Sequence, residues 1–162
     1  MESLEQLYID QLKDMYNAEK QLLKALPKMS RAATTQQLRQ AFDEHLEQTR
    51  GQVDRLDRVF KESGRTPIGK KCEGMTGIIE EGNEMLEANA EGEVKDAALI
   101  AAAQKVEHYE IATYGTLKTF AKTLGLDRAA QLLEENLREE KAADEKLTHI
   151  AESGVNAHAV AR

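Results

Sequence analysis

The chain has 162 residues, of which 41% are hydrophobic and 4% aromatic, with no tryptophan and two prolines; that length suits one domain able to bury a core without staples. Alanine, leucine and glutamate dominate, with 22, 18 and 21 copies, and side chains unbranched at Cβ keep their rotamer freedom in a helix, which argues against an all-β or doubly wound α/β fold. The formal net charge of −7 comes without the basic patch that phosphate backbones require, so no nucleic-acid partner is expected.

Helical punctuation divides the chain. Ser3 is placed to cap a first helix that runs towards Pro27 and frays near Ala33, with Tyr8, Leu12, Met15, Leu22, Leu23 and Leu26 at helical spacing. Thr34 or Thr35 caps a second helix that ends at Gly64, before Pro67. The Pro- and Gly-containing stretch Arg65 to Gly77 reads as a connection, followed by a short helix over Met75 to Ala90. A long helix spans Glu93 to Leu124 and stops at Gly125, which can take positive φ. Asp127 caps the last helix, which stops near Ser153–Gly154.

Two helical hairpins with short turns, joined by one long connection, predict an all-α fold: a ferritin-like four-helix bundle whose single crossover carries a short fifth helix. The bundle is expected over residues 1–154, with a flexible tail over 155–162. No run approaches ~18 apolar residues and no basic-apolar leader opens the chain, so neither a membrane span nor a secretory signal is expected. The lone Cys72 has no internal disulfide partner, which points to a reducing, cytoplasmic setting.

Most acids coat the outside of these helices. Projection at ~100° per residue nevertheless puts some of them on the apolar faces. Glu19 falls inside the stripe of the first helix, and His45 is central to the second. Glu107 and Glu110 lie three apart inside the third stripe, and Glu140 and Asp144 four apart inside the fourth. Tyr8, Gln48, Thr49, Gln52 and Tyr114 share these faces as candidate hydrogen-bond partners. His108 and His149 project outward. A single inward carboxylate is commonly an edge residue or one bonded to a neighbour. Five of them with no inward Lys or Arg repel one another, and burying an unpaired ion costs several kcal/mol. The set Glu19, His45, Glu107, Glu110, Glu140 and Asp144 is therefore a candidate ligand set for divalent metal. Oxygen-rich ligation with one imidazole suits iron or manganese and is compatible with zinc. Gly51 and Gly115, inside helices, suggest close approach of another helix, within the bundle or between subunits.

Four stretches carry a resemblance: Gln104-Lys-Val-Glu-His-Tyr-Glu-Ile-Ala-Thr-Tyr114, Ala41-Phe-Asp-Glu-His-Leu-Glu-Gln-Thr49, Arg55-Leu-Asp-Arg-Val-Phe60 and Leu137-Arg-Glu-Glu-Lys-Ala-Ala-Asp144. Together they resemble the YciF/YciE family of bacterial stress-induced ferritin-like proteins. The resemblance implies a helical bundle, a cytoplasmic homodimer and a site for two divalent ions, iron or manganese. Related di-metal bundles use Glu on two helices and Glu-x-x-His on the other two. Here Phe42 stands three before His45, the last helix pairs Glu140 with Asp144, and the third carries both Glu107 and Glu110. The implied function is stress defence through a carboxylate-bridged di-metal site acting on peroxide or oxygen. The alternative is a non-enzymatic stress or interaction protein on the same scaffold. Glu44 and Glu47 would join the site only through a distortion of their helix.

Overall fold

The computed structural model describes residues 1–160. Four long helices dominate: α1 (Leu4–Ala32), α2 (Gln36–Glu62), α4 (Gly92–Thr123) and α5 (Asp127–Ile150), with the shorter α3 (Glu73–Glu87) between α2 and α4. The starts of α1 and α2 follow the predicted chemistry. Ser3 Oγ accepts from the Gln6 amide at 3.1 Å, and Thr35 Oγ1 accepts from Leu38 at 3.4 Å. Gly125 takes φ of 73° beyond α4, where a side chain would be strained. Pro27 does not end α1, which continues to Ala32.

The long helices pack in a ring, α1 beside α2, α2 beside α5, α5 beside α4 and α4 beside α1. All neighbours run antiparallel. Tyr16–Asp57 and Ser30–Asp43 tie α1 to α2, Gln52–Glu139 ties α2 to α5, and Lys118–Glu134 and Gln104–Thr148 tie α4 to α5. The single crossover must therefore run the length of the bundle. It leaves α2 where Ser63 Oγ meets Tyr8 OH at 3.0 Å, and it reaches α4 where Asp96 meets the α1–α2 turn.

Side chains of α1 and α4 hold that crossover. Asn17 Oδ1 accepts from the Cys72 amide at 2.8 Å, and Gln21 Nε2 donates to the Cys72 carbonyl at 3.1 Å. The Cys72 thiol caps α3, accepting from Met75, and lies 3.0 Å from Tyr109 OH, which donates to Asp14 at 2.9 Å. Burial pushes the thiol pKa up, so Cys72 packs and caps and is a poor nucleophile. Gly74 lies where an added Cβ would come within 2.9 Å of the Tyr109 ring.

Asp96 is fully buried, and its carboxylate accepts from the amides of Thr34 and Thr35 at 2.7 and 2.9 Å. It closes the α1–α2 turn from α4. Asp96→Ala leaves two part-buried turn amides without their acceptor and empties a buried position, and thermal denaturation is expected to show a loss of ~1–2 kcal/mol.

An added Cβ at Gly51 or Gly115 would meet nothing within 4 Å. Close approach within the bundle therefore does not account for either glycine. Gly115→Ala is expected to stabilise the chain by about 1 kcal/mol through helix propensity, read as a raised Tm.

The last helix passes the predicted stop at Ser153–Gly154. A π-helical turn (Ala151–Val155) leads into α6 (Asn156–Val160), and Val155 is buried. Both segments pack on α4. The expected tail is thus helical over 155–160, and its last two positions, 161–162, lie outside the described residues. Among the described residues no helix is long and apolar enough to cross a membrane.

Candidate metal centre

Each of the four long helices contributes to a group of acids inside the bundle. His45 on α2, Glu107 and Glu110 on α4 and Glu140 on α5 offer ligand atoms that all lie within 4.8 Å of one another. Glu19 on α1 joins them through contact with Glu110. Glu19, Glu110 and Glu140 are fully buried, and Glu107 and His45 are nearly so.

The surroundings explain why this group is unusual. His45 Nε2 lies 3.1 Å from Glu107 Oε1 and 3.7 Å from Glu140 Oε2, yet neither contact has hydrogen-bond geometry. Glu19 Oε2, Glu107 Oε2 and both oxygens of Glu110 and of Glu140 also lack a hydrogen-bond partner. Ionised carboxylates only accept, so neighbouring acids satisfy one another only by sharing a proton or a cation. Arg55, a partly buried cation on the same helix as His45, is committed to Glu135, Glu139 and Asn136.

Burial, reinforced by the Glu140 charge, pushes the Glu19 carboxyl up to about 8. Burial also raises Glu107 to about 7, with Glu19 and Asp144 adding to the effect. Glu110 and Glu140 are held well above the carboxylate range, again by burial first and by their acidic neighbours second. Without a cation the cluster therefore retains protons near neutral pH.

The flanking groups orient the donors. Tyr114 OH donates to Glu19 Oε1 from α4. Gln48 Oε1 lies 3.5 Å from His45 Nδ1; a carbonyl only accepts, so the proton belongs on Nδ1 and the Nε2 lone pair faces the acids. Thr49 Oγ1 bonds the His45 carbonyl at 2.8 Å, which is a backbone role. Gln52 Nε2 bonds Glu139 at 3.1 Å, and Tyr8 bonds Ser63, so neither hydrogen-bonds a cluster carboxylate.

Asp144 stands apart from this group. Its side chain is 20% exposed and faces α4, with Oδ2 3.1 Å from His108 Nε2 and Oδ1 accepting from Gln104 at 3.2 Å. A carboxylate already paired at both oxygens beside solvent has no need of a metal. Glu44 pairs with Lys146 and Glu47 with Arg50, and α2 is undistorted there, so neither turns inward. Sequence reasoning did not single out Asn136, which is fully buried and joins Arg55 to the Gln52 carbonyl. Its position on the α5 stripe beside Leu133 and Leu137 is the signal that could have found it.

The donor set fits a divalent ion. It places one imidazole nitrogen and several carboxylate oxygens without competing donors in a buried space, which suits iron or manganese more than a thiolate-seeking metal. Glu110 lies among Glu19, Glu107 and Glu140, and Glu140 among Glu107, Glu110 and His45.

Fold and cluster together define a helical-bundle protein with a buried histidine–carboxylate centre. The chain belongs to the family described as Domain of unknown function (DUF892), which matches residues 3–160. It is 54% identical to Protein YciF of Escherichia coli (strain K12) over 157 residues, which cover 96% of this chain and 95% of that protein. The crystal structure of the E. coli stress protein YciF superposes with a TM-score of 0.93, over 96% of this chain and 99% of that one. YcfI from Rhodopseudomonas palustris is 48% identical, with a TM-score of 0.89 over 91% of this chain and 94% of that one. A protein from Xanthomonas campestris pv. campestris, at 21% identity and a TM-score of 0.76, shares the fold.

Proposed function

We propose that this chain is a stress-defence protein that holds two divalent ions, iron or manganese, in the cluster and uses them on peroxide or oxygen. The observation that carries the reading is the convergence of buried donors without hydrogen-bond partners from α2, α4 and α5, with Glu19 of α1 beside Glu110. His45, Glu107 and Glu140 would hold one ion, and Glu19, Glu110 and Glu140 the other. When bound, the metal pair supplies a two-electron redox step, which avoids release of one-electron oxygen radicals.

The residues of the chain prepare that step. Tyr114 fixes the Glu19 carboxylate, and Gln48 fixes the His45 ring. The apolar shell, with Leu22, Phe42 and Leu56 buried, shields the donors from water except where a cleft reaches His45 and Glu107. Glu107 and Glu19, which retain protons to about 7 and about 8, give them up on metal uptake, so affinity rises with pH.

A cytoplasmic location and a homodimer belong to the same proposal, and the unpaired Cys72 supports the first. Metal analysis with a peroxide-consumption assay tests it. The purified protein should contain iron or manganese and consume peroxide, and Glu107→Ala should lose both. Metal-free protein after reconstitution, with Glu107→Ala indistinguishable from the parent, would favour a non-enzymatic scaffold protein.

A further inference from the structure

A cleft of about 100 Å³ lies between α2 and α5 and reaches the cluster. Its floor is His45 and Glu107; its rim is Glu44, Gln48 and Lys146. Small side chains open it, with Ala41 on α2 facing Ala142 and Ala143 on α5. The clefts beside Leu22 and Ile78, beside Lys122 and Arg138, and beside Glu5 and Leu124 are lined by no cluster residue.

We infer that this cleft is the route by which a divalent cation reaches the cluster, with Glu44 as its first ligand and Lys146 as the counter-charge it displaces. The inference rests on the metal-binding reading of the cluster. From the rim inward the cleft presents the Glu44 carboxylate, the Gln48 amide oxygen, the His45 imidazole and the Glu107 carboxylate. All four offer lone pairs to a cation. Glu44 and Gln48 are one turn apart on the same helix, so an ion can pass from one to the next.

The electrostatics favour a cation. The Glu44 carboxylate stands at the mouth of a narrow cleft whose low-dielectric walls focus its field on an arriving ion. Lys146 opposes entry only weakly, because it pairs with Glu44 where both side chains are about half exposed, at 45% and 47%. Exposed pairs of this kind contribute little and exchange readily. A partly hydrated ion fits a cleft of this volume.

Stopped-flow mixing of the metal-free, full-length protein with cobalt(II) tests the route, with the d–d absorption giving both the loading rate and the final stoichiometry. Glu44→Gln should slow loading on the order of tenfold at low salt and flatten its salt dependence. Ala143→Phe should slow loading while the final stoichiometry stays at the parent value, and Lys146→Met should speed it. Circular dichroism confirms the fold of each variant, and the surface change Glu44→Gln carries the test should Ala143→Phe fail to fold. Parent-like loading rates in both Glu44→Gln and Ala143→Phe would overturn the route alone. Absence of cobalt uptake by the parent protein would overturn the metal reading and this inference with it.

Discussion

Saturating the metal-free protein with manganese(II) or iron(II) at neutral pH raises its Tm by about 5–10 °C, and a chelator reverses the rise. An ion held only by the folded state stabilises it by ~3 kcal/mol at one hundred times its Kd, and for a chain of this length each kcal/mol moves Tm by ~2–4 °C. The size of the effect depends on pH, with a sign set by the buried acids. Burial raises their folded pKa above the unfolded value, to about 8 for Glu19 and about 7 for Glu107. The metal-free fold therefore binds more protons than the unfolded chain between about 4.5 and 8. Its stability is highest below the unfolded value and falls as pH rises through the folded ones. The loss is about 1 kcal/mol per pH unit for each carboxyl that keeps its proton in the fold. Metal and protons compete for the same oxygens, so the Tm gain on metal addition widens from pH 5 to pH 8. Differential scanning calorimetry across that range, with and without metal, measures both trends.

Glu110→Gln is expected to move stability and metal binding in opposite directions. Glu110 has neither oxygen hydrogen-bonded, lies among Glu19, Glu107 and Glu140, and is held far above the carboxylate range. An amide of the same shape removes one buried ionisable group and supplies two N–H donors to the neighbouring acids. The metal-free variant should gain about 1–3 kcal/mol at pH 8, where keeping a buried carboxyl costs most relative to the unfolded chain, and less at pH 5. It should also bind fewer ions, since one cluster carboxylate is gone. Denaturant melts and metal stoichiometry on the same preparations separate the two effects. A residue kept for packing would show loss of stability on substitution and no change in metal content.

The helical period carried much of the site. Glu19, His45, Glu107, Glu110 and Glu140 each fall inside an apolar stripe, and a stripe on a bundle helix has only one place to point. Asp144 shows what the projection lacks. It shares the angular position of Glu140 but lies one turn further along α5, where Gln104 and His108 of α4 offer polar partners beside solvent. Angle is readable from one helix; depth and partner depend on the neighbouring helix. The long connection announced a crossover, yet nothing local says that Cys72 caps α3 or that Asp96 closes a turn some 60 residues earlier in the chain. The Asp96 contacts exist only once the crossover has brought α4 against the end of α1. Gly51 and Gly115 show the same limit for close approach within the bundle: spacing shows a small residue, and only the packed chain shows open space over it.

A crystal structure of the metal-loaded protein, with anomalous scattering recorded at the iron and manganese edges, is the most direct test of the central claim. Two anomalous peaks are predicted inside the bundle, one beside His45, Glu107 and Glu140 and one beside Glu19, Glu110 and Glu140. A map with no peak among these residues, from protein shown to be saturated with metal in solution, would contradict it.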